Sequence, residues 1–335
     1  MTFAPRFHCR RINFIKTLDK RGYFPIDSRV RTTPQLMKAQ PILGVLLAAG
    51  LATPAFALPD YDPFADASGS GGTTYAVGAN LAGQVSAQGL SWFAAGNSAG
   101  TPVIASGNLS VPGLLASSGN SVSFGPPPVA GTSARLGLGG AVTSGTLYYS
   151  FALQVTSLGA LTTAGAFIAG FNNSTGSQTG QPSVIGSRLY TRLSGSAFNL
   201  GVNKANGTAS DIVWDSATHN TGETLFVVGS YTFNASASDD VSALWINPDS
   251  STFGAGSAPA ATLTASGGAD ITANSIASFL IREASTIEPS VLLDELRVGV
   301  NWADVTPPAV PEPALAGLLG VGLAMCIYRH RHGRR

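Results

Sequence analysis

Residues 145–155 read GTLYYSFALQV. Leu147, Tyr149, Phe151, Leu153 and Val155 fall at every second position. An extended chain puts all five on one side, whereas a helix would spread them around its surface. The same signal recurs outward from this stretch. Residues 187–193 (SRLYTRL) alternate Leu189, Thr191 and Leu193 with Arg188, Tyr190 and Arg192. Residues 224–233 (TLFVVGSYTF), 240–246 (DVSALWI), 275–282 (SIASFLIR) and 291–298 (VLLDELRV) are further strand signals. Residues 166–171 (AFIAGF) form the continuous apolar run of a fully buried strand. Asn206-Gly207 is a turn signal between residues 197–202 and 209–214, which predicts a hairpin. Upstream the patches are shorter, at residues 75–77, 90–94, 103–104, 109–111, 121–124 and 134–138, and Pro126, Pro127 and Pro128 mark a loop. Between residues 58 and 305 no window carries a 3.6-residue apolar stripe. The expectation is all-β: one two-sheet jelly-roll sandwich over residues 58–305, with two smaller sandwiches split at residues 126–128 as the alternative.

Composition agrees. Charged residues are 11 % of the 335, against 40 glycines and 20 prolines, which favours short strands and turns over helices. Charge is unevenly placed. Residues 1–57 hold nine Lys/Arg, and the last seven residues hold four Arg. Residues 58–310 hold six (Arg135, Arg188, Arg192, Lys204, Arg282 and Arg297) against fifteen Asp/Glu. An acidic body argues against nucleic acid as a partner. Both cysteines, Cys9 and Cys326, lie outside the body, so it has neither a disulfide nor a cysteine metal site.

The ends read as addresses. Met37-Lys38 precede an eleven-residue apolar run at 41–51 (PILGVLLAAGL), and Ala55-Phe56-Ala57 supplies the small-x-small pattern that signal peptidase cuts. Residues 37–57 are therefore expected to be a signal peptide, with Leu58 as mature start. Residues 1–36 are expected to be an extension ahead of the true initiator Met37, with a long basic n-region as the alternative. Residues 58–66 (LPDYDPFAD) are expected to be a solvated acidic lead-in. Asp60, Asp62 and Asp66 offer oxygen ligands but lack the Gly-containing loop and terminal Glu of an EF-hand.

Two stretches carry resemblances to known families. Residues 145–155, 279–283 (FLIRE) and 292–305 (LLDELRVGVNWADV) resemble the closing strands of LamG-like, concanavalin A-like jelly-roll domains of secreted bacterial proteins. In residues 292–298, Leu292, Asp294, Leu296 and Val298 share one parity, which puts Asp294 on the apolar face, where a carboxylate needs backbone N–H groups, an Arg or a metal. No cofactor is expected. Ca²⁺ is the ion that the lectin resemblance would bring, with Asp294 as its candidate ligand beside the reading of a hydrogen-bonded structural Asp. Trp302 is expected to pack rather than to serve as a sugar platform. At the C-terminus, Val310-Pro311-Glu312-Pro313, an apolar run at 314–328 and a tail with Arg329, Arg331, Arg334 and Arg335 resemble the PEP-CTERM sorting signal over residues 306–335. That resemblance implies export and transient retention in the inner membrane by the apolar helix. It also implies removal of the tail by exosortase, a membrane transpeptidase, in bacteria that make exopolysaccharide or biofilm. The arginines would hold the end cytoplasmic, and the prolines keep the motif extended.

Catalysis finds little support. His219 is the one histidine of the body, it sits in a polar stretch, and no G-x-S-x-G precedes it. Glycoside hydrolysis needs two carboxylates, and Glu223, Glu283, Glu288 and Glu295 are the body's glutamates. Asp294 and Glu295 are adjacent, which in a regular strand sends them to opposite faces. The expectation is a non-enzymatic cell-surface or matrix protein touching polysaccharide. The alternatives are a Ca²⁺-assisted lectin and, third, a glycosidase.

Overall fold

A computed structural model of the chain describes residues 58–65, 75–96, 102–126, 131–205, 208–283 and 287–309. The expected signal peptide, the sorting tail, Asp66 and the Asn206-Gly207 turn lie outside the described residues.

Among them are fifteen strands. In chain order these are β1 (Asp60–Asp62), β2 (Trp92–Ala94), β3 (Val103–Ala105), β4 (Ser121–Phe124), β5 (Thr132–Val142), β6 (Gly145–Ser157), β7 (Ala166–Asn172) and β8 (Ile185–Ser194). There follow β9 (Ala197–Asn203), β10 (Val213–Trp214), β11 (Thr224–Phe233), β12 (Val241–Ile246), β13 (Leu263–Ala265), β14 (Ile276–Glu283) and β15 (Ser290–Gly299), then a one-turn helix α1 (Trp302–Val305). They form two antiparallel sheets, as a jelly-roll sandwich requires. One has eight strands in the order β13-β12-β11-β6-β15-β4-β3, with β1 also paired to β15. The other has seven, β10-β9-β8-β7-β14-β5-β2.

The alternation of residues 145–155 is the reason β6 lies at the centre. Leu147, Tyr149, Phe151, Leu153 and Val155 are all buried in the layer between the sheets. Tyr149 and Phe151 from β6 meet Phe171 of β7 and Phe279 of β14 across that layer, with ring centroids 5.2–5.9 Å apart. Tyr149 stands opposite Gly229 of β11 and its ring leaves no space for a Cβ there. β9 and β10 pair antiparallel, Val202 with Val213 and Gly201 with Trp214, as the predicted hairpin requires.

Three expectations need correction. Residues 58–66 are not a solvated lead-in: β1 adds to the eight-stranded sheet, pairing Asp60 with Val298 and Asp62 with Leu296, and both aspartates are buried. Residues 75–77 and 109–111 form no strand, although Tyr75 and Leu109 are buried. The strict parity in β15 fails as well. A β-bulge opens between Asp294 and Arg297 against β6, with Glu295 in the left-handed region at φ 57°. An extra residue in one strand flips the alternation beyond it. Val291, Leu293, Leu296 and Val298 therefore face the core, and Asp294 does not.

The two sheets treat their outer faces differently. Over the eight-stranded sheet, Trp302 and Val305 of α1 pack with Phe226, Val228, Trp245, Phe253 and Leu114 into a second apolar layer. Trp302 is 2 % exposed and packs against Trp245 with ring centroids 5.1 Å apart, so it is a packing residue. The outer face of the seven-stranded sheet has a smaller apolar patch, Ala95, Ile185 and Leu280 with Phe167 against it, and is otherwise polar.

Candidate functional site: an arginine-lined sheet face

Four of the six body arginines and lysines lie on that outer face. Each strand contributes through its own alternation. In β8, Leu189 faces the core while Arg188, Tyr190 and Arg192 alternate outward, half-buried. In β14, Phe279 and Ile281 face inward, which leaves Leu280 and Arg282 outward. In β5, Ala134, Leu136 and Leu138 are core, which turns Arg135 out.

Aromatic rings hold the guanidinium groups. Arg188 and Arg282 both sit over Phe167 of β7, at 5.5 and 5.4 Å from its centroid. Arg192 lies over Trp214 of β10 at 4.5 Å. Trp214 is flattened onto Gly201 of β9: a Cβ there would stand 2.5 Å from the indole. Arg192 Nε donates to Asn199 Oδ1 at 3.3 Å, Arg188 Nη1 to the Tyr190 hydroxyl at 3.4 Å, and Arg282 Nη1 to the carbonyl of Pro182 at 2.9 Å. Stacking fixes each plane and leaves guanidinium edges free to form bidentate contacts.

Among the described residues no carboxylate forms an ion pair with these arginines, though the charge of Glu288 reaches Arg282. The ion pairs of the described residues are Lys204–Asp270, Arg297–Glu295 and those of His219 with Asp215 and Glu223. Burial, together with the neighbouring charge of Arg188, pushes the Arg282 pKa down. Like charges gathered on one half-buried surface of an acidic body set up a local positive field, the electrostatic requirement for an anionic ligand.

The predicted site residues fall elsewhere. Asp294 is wholly buried under the 109–118 segment, where Oδ2 accepts from the Leu109 N–H and Oδ1 from the Glu295 N–H, both at 2.7 Å. Burial pushes its carboxyl up to about 8. The bulge also undoes the expected separation of Asp294 from Glu295. Glu295 Oε1 accepts from the Ser118 N–H in the same covering segment, and its Oε2 accepts from Tyr61 and Arg297, each at 2.8 Å. Arg297 stacks over Tyr61 at 4.2 Å. The cluster ties β1, β15 and the covering segment together. Asp62 accepts from the Trp92 indole at 2.7 Å and from the Tyr75 hydroxyl, and Asp60 from the Ser86 hydroxyl at 2.7 Å, so both anchor the edge of the sandwich. His219 is buried, its Nε2 3.2 Å from Asp215 Oδ2 and its Nδ1 3.8 Å from Glu223. Among the described residues no serine hydroxyl bonds to it. Asp239, Asp240 and Asp270 come together, but Lys204 Nζ already sits 2.7 Å from Asp270.

The shared parity of Arg188, Tyr190 and Arg192 is legible in the sequence, but their company with Arg135 and Arg282 is not. The available signal was a single arginine at an off-face position in otherwise apolar strands. The side-by-side placement of β8, β7, β14 and β5 was needed to gather them.

The chain is thus a two-sheet antiparallel β-sandwich of jelly-roll type with one covered and one basic outer face. No family model matches it, and no curated protein does. Among solved structures it is similar to an endo-β-1,4-glucuronan lyase from the fungus Trichoderma reesei, at TM-score 0.41 and 14 % identity over 63 % of this chain and 91 % of that one. It is similar also to the carbohydrate recognition domain of Emp47p, at TM-score 0.33 and 9 % identity over 65 % and 96 %. The PL7 alginate lyase AlyA1 from Zobellia galactanivorans matches at TM-score 0.32 and 13 % identity over 60 % and 93 %. None of these likenesses bears on what this chain binds.

Proposed function

We propose that the chain is an exported cell-surface or matrix protein whose seven-stranded sheet binds an anionic polysaccharide without cleaving it. The observation that carries this reading is the arginine face: Arg188, Arg192 and Arg282 are stacked on Phe167 and Trp214, with no described carboxylate in an ion pair with them. Planar guanidinium groups match the carboxylates or sulfates of an acidic glycan bidentately. Export, retention through residues 306–335 and release by exosortase belong to the same proposal and rest on the sequence motifs at the two ends. The Ca²⁺-assisted alternative has less to stand on, because both Asp294 oxygens already accept backbone N–H groups.

The test is titration of the full chain, purified in detergent, with polygalacturonate, with neutral dextran and with duplex DNA as a control polyanion. Binding to polygalacturonate alone is expected, weakening as salt rises and falling about tenfold or more in an Arg188→Met/Arg192→Met double variant. The glycan should keep its length. Equal affinity for dextran, or shortening of the polygalacturonate, defeats the proposal.

A further inference from the structure

Arg135 belongs to the same face and differs from the other three arginines. It is wholly buried, and its Nε, Nη1 and Nη2 have no hydrogen-bond partner among the described residues. A guanidinium stays charged in proteins and presents five donors. Leaving it buried and unpaired costs several kcal/mol. Nothing in the core requires it: Arg135 projects away from the layer that Ala134 and Leu136 fill.

The fastenings of one polar loop on both sides of β5 make it the cover we assign to Arg135. Residues 173–183 (NSTGSQTGQPS) hold two glycines and no apolar residue but Pro182. The loop is fastened on both sides of β5. Toward β2, the Gln178 N–H donates to the carbonyl of Ala94 at 3.2 Å, and the Gly96 N–H to that of Gln178 at 2.8 Å. Toward β14, Pro182 accepts from Arg282 at 2.9 Å. Gln181 Nε2 donates to the carbonyl of Gly131 at 2.6 Å, just before β5 begins. The cover is thus held mainly by hydrogen bonds, with Pro182 its one buried apolar residue. Segments of that kind sit at the low end of local stability.

An opening lies beside it. A groove of about 400 Å³ is lined by Leu90, Ser91, Phe93, Gly137, Gly139 and Thr175. Phe93 is the cross-strand partner of Arg135, and Gly137 is two positions along β5 on the same side. Gly137 keeps that floor bare, since a Cβ would come within 3.1 Å of the Phe93 ring. Thr175 of the cover forms one wall.

We propose that Arg135 is a covered anion subsite at the end of the arginine face, taking a carboxylate of the bound polysaccharide when the 173–183 loop lifts. The inference rests on the polyanion reading of the face. β8 and β5 are separated by β7 and β14, three strand spacings or roughly 14 Å. An oligosaccharide, and not a single sugar, is needed to touch Arg192 and Arg135 together. Binding carries the cost of opening the loop and recovers it by pairing a charge that is otherwise alone.

The experiment compares the full-length wild type with Arg135→Met and Gln181→Ala. Tetragalacturonate is the probe, with sodium sulfate at equal ionic strength as a second arm. Arg135→Met should raise the Tm of the unliganded protein and weaken tetragalacturonate binding about tenfold or more. Gln181→Ala should speed association, because it removes one fastening of the cover. Three results overturn the subsite: unchanged affinity in Arg135→Met while wild type binds, a lowered unliganded Tm in that variant, or association by Gln181→Ala no faster than wild type. Sulfate raising the wild-type Tm as far as tetragalacturonate does would assign the pocket to a free anion and overturn the polysaccharide assignment. Failure of wild type to bind tetragalacturonate at all would instead remove the polyanion reading beneath it.

Discussion

Gly201 shows how much one residue decides at the arginine face. Trp214 rests where a side chain at 201 would be, and Arg192 rests on Trp214. Gly201→Ala should displace the indole, loosen the guanidinium and lower polygalacturonate affinity several-fold while leaving the core packed; titration beside a denaturation curve checks both. Glu295 decides at the other sheet. Its φ of 57° makes the bulge that turns Asp294 out of the core layer and under the 109–118 segment. Burial raises the Asp294 carboxyl to about 8, and those of Asp60, Glu283 and Asp62 to about 7, 7 and 6. Between the unfolded values (3.8 for Asp, 4.5 for Glu) and these folded values, the folded chain holds more protons than the unfolded one. The stabilisation is full below the unfolded values and is lost as pH rises through the folded ones. Urea midpoints should therefore be higher at pH 5 than at pH 8, and Asp294→Asn should flatten the upper part of that slope. A midpoint that climbs steadily to pH 8 would refute the assignment.

Among the elements, the four-residue α1 closes an apolar layer of its own. Trp302 lies against Trp245 and Tyr148, and its indole donates to the Thr252 carbonyl at 2.9 Å. The Ser150 hydroxyl donates to the Val305 carbonyl at 2.7 Å, which ties the end of the helix to β6. Trp302→Ala should cost about 3–5 kcal/mol, read as a lower midpoint in equilibrium denaturation; a loss below 1 kcal/mol would mean the layer closes without it. The long strands were legible because alternation over seven or more residues has no helical explanation. β1 and β13 span three residues each, too few for a period to show. β1 was missed for a second reason: its buried residues are aspartates, which are buried only because Tyr75, Trp92 and Ser86 were waiting for them.

For the whole molecule, the placement of charge matters more than its sum. The formal net charge is +1, yet the body is acidic and most of its few basic residues share one sheet face. The ends lead to a prediction of their own. Material recovered from an exporting host should lack residues 1–57 and the apolar tail after Pro313, as intact-mass spectrometry would show. A mature protein that keeps Arg329–Arg335 where exosortase is active would refute the processing.

What the sequence determined alone is the all-β class and the one-sided burial of residues 145–155. These are local properties, written in period and order along the chain. Only the tertiary structure decided where Asp294 points, because a bulge inverts parity and leaves no mark in the residue pattern. It alone decided the arginine face as well. Arg135, Arg188, Arg192 and Arg282 are up to 147 positions apart in the chain and become neighbours through strand order, which no local period encodes.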